Sequence, residues 1–370
     1  MRNTQTSMSR NEPIVDIAGK GEVVYDDGKQ KDRTPGLGGR FQQQLIDRSQ
    51  RRITYLRMSV TDRCDFRCVY CMSEKMTFLP RARLMTLEEL AQIGRAFTEL
   101  GVDKIRITGG EPLVRKNVLW LLRKLNQLPG LGELALSTNG SQLPRLASDL
   151  RDAGVRRVNI SLDTLRPDRF RRITRVGDLD NVLRGIDAAL DAGFDRVKLN
   201  SLILRNRNHD EVPALVRFAI DHGTDISFIE EMPLGHGDNH IRAETYYSSD
   251  ELLVELQRHH TLTQTAETTR GPSRYYRITG TDTRVGFISP HSHNFCAACN
   301  RVRVTIEGKL LLCLGQEHAV DLARVLRAHP GNLERLKQAI IGAMTIKPVG
   351  HDFDLNTHPV IFRHMSVTGG

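Results

Sequence analysis

Six cysteines fall into two groups of three. Cys64, Cys68 and Cys71 are spaced C-x3-C-x2-C, Cys296, Cys299 and Cys313 are spaced C-x2-C-x13-C, and none is left over. Thiolates this crowded need something positive between them, and soft sulfur ligands select zinc or iron-sulfur clusters. Zinc fits the first group poorly, because structural zinc takes four ligands, commonly on C-x2-C knuckles. A four-iron cluster has four corners, so three cysteines leave one iron free. That iron could hold the amino and carboxylate groups of a small molecule and pass it an electron. The second group has two readings: another open-cornered cluster, or a Cys3His zinc site completed by His291 or His293.

Cations stand beside the second group. Arg301 and Arg303 flank Val302 in a short strand-like run, so both guanidiniums leave the same face. They suit a phosphate chain, since each offers a planar fork of donors, or they form a solvated basic face. Arg57, Arg106 and Lys198 lie on three earlier strand-like runs. If all faced one interior they would repel one another without a shared anion, and a triphosphate is the natural guest.

These residues need a scaffold that brings distant segments together. Runs at 53–60, 104–110, 133–140, 157–163, 196–204 and 225–233 read as strands, alternating with helical patterns at 86–100, 118–128, 143–153, 179–192 and 209–222. This is the signature of an α/β fold built as a partial (βα)6 TIM-type barrel. The first helix opens with a capping box, Thr86 and Glu89, and carries Leu87, Leu90, Ile93 and Phe97 on one face. In such folds chemistry gathers at the carboxyl ends of strands. The residues there are Tyr70 before the last cysteine of the first group, Gly109-Gly110-Glu111-Pro112 after the second run, Ser161 in the fourth and Met232 after the sixth. Singly they are ambiguous, since a glycine can serve a turn and a methionine the core. Residues 1–50 lack periodicity and read as a disordered extension, 51–240 as the barrel, and 241–370 as a second region with a helix at 249–256, hairpin-like pieces and the second cysteine group.

Composition bounds the partners. With 39% hydrophobic and 26% charged residues and no apolar run near the roughly 18 that a membrane helix requires, the chain reads as soluble. The opening MRNTQTSMSR lacks a secretory apolar stretch, so reduced thiols in the cytoplasm are expected rather than disulfides. A net charge of +9 suits an anionic partner, while 5% aromatic residues and a single Trp120 argue against single-stranded nucleic acid.

The C-x3-C-x2-C group after the first strand, followed by GGEP, resembles the radical S-adenosylmethionine superfamily. Together with STNG, NISLD, the FC-x2-C-x-R-x-R segment and terminal Gly369 and Gly370, it closely resembles the GTP 3',8-cyclase family of molybdenum cofactor biosynthesis over about residues 50–370. The resemblance implies two 4Fe-4S clusters, each on one cysteine triad, with S-adenosylmethionine held by Tyr70, Gly110, Ser161 and Met232. It implies that reductive cleavage of that cofactor yields a 5'-deoxyadenosyl radical, which takes the 3' hydrogen of GTP. The product would be (8S)-3',8-cyclo-7,8-dihydroguanosine 5'-triphosphate. Arg57, Arg106, Ser137, Lys198, Arg301, Val302 and Arg303 would line the GTP pocket. Arg57, Arg301, Arg303, Gly369 and Gly370 would serve catalysis, the last two as a tail entering the site. Ser137 stands where the family often has threonine, and the hydroxyl is kept. A flavodoxin-type electron donor, hand-off to cyclic pyranopterin monophosphate synthase and a homodimer are implied in the same way. Two alternatives are a peptide-modifying radical enzyme and a non-catalytic zinc protein that binds RNA.

Overall fold

The computed structural model describes residues 44–234, 242–355 and 365–368. Six parallel strands stand where the sequence places them: β1 Tyr55–Ser59, β2 Lys104–Thr108, β3 Glu133–Thr138, β4 Arg157–Ser161, β5 Arg196–Leu202 and β6 Asp225–Ile229. Helices α1 Leu87–Glu99, α2 Val118–Asn126, α3 Leu143–Asp152, α4 Pro167–Thr174, α5 Leu179–Asp191 and α6 Val212–Asp221 lie between or after them. The capping box at Thr86 and Glu89 is formed in both directions, satisfying two backbone N–H groups that the first turn of α1 would leave unpaired. Helix α4 was not expected, because its sequence, PDRFRRIT, spans only about two turns and buries just Phe170, Ile173 and Thr174 on one face. The 209–222 element splits into a 3-10 turn, His209–Glu211, and α6, with Pro213 just inside the helix start.

The strand pattern explains why the barrel has a polar lumen. Leu56, Met58, Ile105 and Ile107 are fully buried in the apolar core, which includes Leu90, Ile93 and Phe97 of α1. The alternate residues, Tyr55, Arg57, Lys104 and Arg106, line a central cavity instead. A period of two on strands covered on both sides thus gives one apolar layer and one polar layer.

The region after residue 240 departs from expectation. Its strands are β7 Leu262–Thr265, β8 Arg274–Ile278, β9 Arg284–Ile288, β10 Arg301–Val304, β11 Lys309–Leu311 and β12 Ala319–Asp321. The hairpin pieces are present, since β7, β8 and β9 pair antiparallel in turn, as do β10, β11 and β12. However, β9 also pairs parallel with β6, and β10 pairs parallel with β1. One open sheet of order β12-β11-β10-β1-β2-β3-β4-β5-β6-β9-β8-β7 results. The second region therefore extends both edges of the first. Of the stretch read as an extension, residues 44–50 are described, and there Leu45 is buried and Asp47 pairs with Arg51 at 2.7 Å. Among the described residues no helix is long and apolar enough to cross a membrane.

Candidate active site

The loop after β1 carries Cys64, Cys68 and Cys71, and the turn after β2 holds it in place. Gly110 N donates to Thr61 O at 2.8 Å and Glu111 N to Arg63 O at 2.8 Å. A Cβ on Gly110 would lie 2.3 Å from Arg63 O. These glycines therefore admit the cysteine loop's own backbone, a nearer reason for them than the approach of a ligand. Buried Glu111 then fastens the next turn, accepting from Leu113 N at 3.0 Å, Thr138 Oγ1 at 2.8 Å and Asn139 N at 2.7 Å. Asp65 accepts from Asn139 Nδ2 and Ser141 Oγ at 2.7 and 2.6 Å. Tyr70 donates to Asp163 Oδ2 at 2.6 Å, tying the loop to the end of β4.

This end of the site is rich in carboxylates. Burial pushes the Cys64 thiol up to about 12, and Glu111 and Asp65 add to the effect. Burial and then Cys71 push Cys68 well above its ordinary value. Burial also raises Glu111 to about 8 and Asp163 to about 6.

The middle of the cavity is cationic. Arg303, Arg57 and Arg106 are in register on β10, β1 and β2, and so are Arg301, Tyr55 and Lys104 one inward layer away. Like charges directly opposite across strands destabilise a sheet. Burial lowers Arg57 to about 10, opposed by Tyr55 and reinforced by Arg106 and Arg301. Burial with Arg57 and Arg301 holds Arg303 well below the usual range. The Arg57 Nε is buried with no hydrogen-bond partner among the described residues. Burial raises the Tyr55 hydroxyl, but Arg106, Arg57, Lys104 and Arg301 together outweigh it and bring the group down to about 7. Arg106 donates to Tyr55 Oη at 2.7 Å and to Ser137 Oγ at 3.2 Å, and Lys198 donates to Ser227 Oγ and Tyr275 Oη at 3.2 and 3.3 Å. A polyanion in this lumen would relieve the repulsion.

The second triad sits at the other end of the strands. Because β10 is parallel to β1 with Arg301 opposite Tyr55, Cys299 precedes the amino ends of both strands, while Cys64 lies beyond the carboxyl end of β1. The four-residue rise between those ends is about 13 Å. Antiparallel pairing of Arg303 with Leu311 returns the chain so that Cys313 comes level with Arg301, two residues beyond Cys299. Here burial raises Cys299, but Arg301, Lys347 and Arg51 outweigh it and the thiol is lowered.

All the sequence-derived residues that the structure describes meet in one cavity of about 350 Å³: both triads, Tyr70, Gly110, Ser161 and Met232, and Arg57, Arg106, Ser137, Lys198, Arg301, Val302 and Arg303. Gly369 and Gly370 lie outside the described residues, although Met365 lines the same cavity. Tyr55 and Lys104 escaped the sequence reading, although their strand parity with Arg57 and Arg106 carried the signal. Lys347 and Arg51 had no local signal.

Residues 58–219 match the Radical SAM superfamily, and residues 224–353 match Molybdenum Cofactor Synthesis C. The chain is 59% identical over 329 residues to the GTP 3',8-cyclase of Pseudomonas entomophila (strain L48), covering 89% of this chain and 98% of that protein. It is 59% identical over 327 residues to that of Ectopseudomonas mendocina (strain ymp), covering 88% and 99%. The chain belongs to the GTP 3',8-cyclase family. The fold also aligns with Streptococcus suis SuiB, solved bound to S-adenosylmethionine, at TM-score 0.52 and 16% identity over 71% of this chain and 60% of that one.

GTP 3',8-cyclases are radical enzymes with S-adenosylmethionine and two four-iron clusters, and the donor sets here fit them. Each triad offers three thiols to the cavity. The family's two clusters stand against the zinc alternative for the second group; there His291 Nε2 bonds Glu231 O at 2.9 Å and His293 Nε2 bonds Asp250 Oδ1 at 2.6 Å. Among the described residues no three His, Cys, Asp or Glu side chains are gathered to hold a metal ion. Cysteines around a four-iron cube stand farther apart than those around a single zinc.

Proposed function

We propose that the two ends of this cavity divide one reaction, with the first triad serving S-adenosylmethionine and the second serving the base end of GTP. The activity is that of the family: conversion of GTP to (8S)-3',8-cyclo-7,8-dihydroguanosine 5'-triphosphate, the first step of molybdenum cofactor biosynthesis. When bound, the first cluster and S-adenosylmethionine supply a 5'-deoxyadenosyl radical that removes the 3' hydrogen of GTP. The observation that carries this reading is the row Arg303, Arg57 and Arg106, in register within a lumen that also meets both triads.

The chain's own residues then have distinct tasks. Tyr70, Gly110, Ser161 and Met232 bind S-adenosylmethionine at the carboxyl ends of the strands. Arg57, Arg106, Lys198, Arg301 and Arg303 hold the triphosphate, with Ser137 orienting Arg106 and Val302 lining the cavity from the core side of β10. Contacts at both ends fix one orientation of the substrate, and the enclosed lumen keeps water from a reactive carbon centre. Arg57, Arg301 and Arg303 serve catalysis by that orientation. Gly369 and Gly370 are assigned to the same reaction, and their deletion should abolish turnover while leaving both clusters loaded.

The same reading includes a flavodoxin-type electron donor, hand-off to cyclic pyranopterin monophosphate synthase, a homodimer and a cytoplasmic setting. It divides the chain into residues 51–240 and 241–370 after an extension, and assigns no nucleic-acid or membrane role. Anaerobic reconstitution tests the core of it. About eight irons in the unaltered chain should fall to about four in a Cys296, Cys299 and Cys313 triple-alanine variant, and S-adenosylmethionine cleavage should depend on GTP. An unchanged count with zinc lost instead would overturn the reading.

A further inference from the structure

Lys347 follows the helix Leu333–Met344 and is distant in sequence from every cysteine. It is 1% exposed. Its ammonium donates to Leu312 O at 2.6 Å, next to Cys313, and to Cys299 Sγ at 3.9 Å. Arg51, from the opposite end of the chain, anchors the residues just after Lys347. One nitrogen donates to both Cys296 O and Val349 O at 2.8 Å, a second donates to Pro348 O at 2.6 Å, and Asp47 holds the guanidinium from behind. Gly350 closes the wall: a Cβ there would lie 3.6 Å from Cys296 Sγ, and its carbonyl is 4.0 Å from Cys313 Sγ. Residues 347–350 therefore touch all three cysteines of the second triad.

A buried ammonium is costly unless it meets an anion or strong acceptors. Leu312 O supplies one acceptor. Three thiolates around a cluster supply the negative charge, and hydrogen bonds to their sulfurs together with net charge set a cluster's reduction potential. We infer that Lys347 is the charge-compensating residue of the second metal centre, positioned by the Arg51-anchored wall, and that it holds that centre's reduction potential up. This rests on the cluster reading above and assigns Lys347 no contact with substrate.

The test uses the full chain carrying Cys64, Cys68 and Cys71→Ala, so that only the second centre takes up iron, followed by potentiometric titration read by electron paramagnetic resonance. With Lys347 the chain should bind about four irons. Lys347→Met should shift the midpoint to more negative values at unchanged iron, and Lys347→Arg should restore much of it. An unchanged midpoint in fully loaded Lys347→Met overturns the inference. If Lys347→Met takes up no iron, loading of Lys347→Arg supports a need for charge, whereas failure of both overturns it in favour of shape alone. Failure of the Lys347-containing parent to bind iron would instead sink the cluster reading itself.

Discussion

Cys64 lies beside Asp65 and Glu111 and Cys68 beside Asp163, whereas Cys299 lies among Arg301, Lys347 and Arg51. Both triads offer three thiols to one lumen, yet burial and neighbouring charge raise Cys64 and Cys68, whereas in the second triad cations lower Cys299 and burial still raises Cys313. The first loop is clamped by carboxylates accepting backbone and amide donors, which makes it rigid. The second triad is walled by cations that can also face an anionic substrate. Equal cysteine counts thus need not mean equal tasks.

The largest effects should come from removing each triad. Cys64, Cys68 and Cys71→Ala should eliminate all 5'-deoxyadenosine formation, read by chromatography. The second-triad variant should still bind S-adenosylmethionine by calorimetry but make no cyclised GTP. If either variant showed the other's pattern, the division of labour would be reversed.

A matched pair of glycines sharpens the comparison. Gly110→Ala forces a Cβ to within 2.3 Å of the Arg63 carbonyl, so the first loop must move and iron should fall from about eight to about four. Gly350→Ala meets Cys296 atoms only at 3.6 Å, an ordinary contact, and should keep its iron.

Arg303→Ala should raise KM for GTP about 10- to 100-fold, as expected for losing charge-assisted bonds worth about 1.5–3 kcal/mol. Its iron content and S-adenosylmethionine affinity should stay unchanged.

The smallest effect is a pH dependence. The free-site Tyr55 titrates near 7 because cations outweigh its burial. A bound triphosphate screens those cations and returns the pKa toward 10, so binding favours the protonated phenol. GTP affinity should then be flat below about pH 7 and fall above it, by at most about tenfold between about pH 7 and 8. Tyr55→Phe should remove that slope in calorimetric titrations. For folding the signs at the two regions oppose. Tyr55, depressed below its unfolded value, adds stability at high pH that is lost as pH falls through about 7. Glu111, raised to about 8, adds stability at low pH that is lost as pH rises through that value.

Much of this is legible in the residues alone. Cysteine spacing names the two centres, because ligand chemistry needs residue types at short range. The six barrel strands and the α1 capping box are legible because periodicity and caps are local. Strand parity also points Arg57 and Arg106 to one interior. Helix α4 carried a local signal, Pro167 at its start and Phe170, Ile173 and Thr174 on one face, but one only about two turns long, whereas the order of Leu45 and Asp47 comes from packing against distant segments and is not legible.

Residue types and local pattern are enough for the spacing of the two cysteine triads, the six parallel strands and the family to which the chain belongs. Tertiary structure alone decided that β9 and β10 extend the sheet in parallel, a pairing across more than 200 residues for β1 and β10 that no local pattern encodes. That pairing aligns Arg303 with Arg57 and Arg106 and sets the two triads at opposite ends of the lumen. Packing also brought Lys347 and Arg51 to the second triad, because a buried charge is placed by its partners in space and not by its neighbours in the chain.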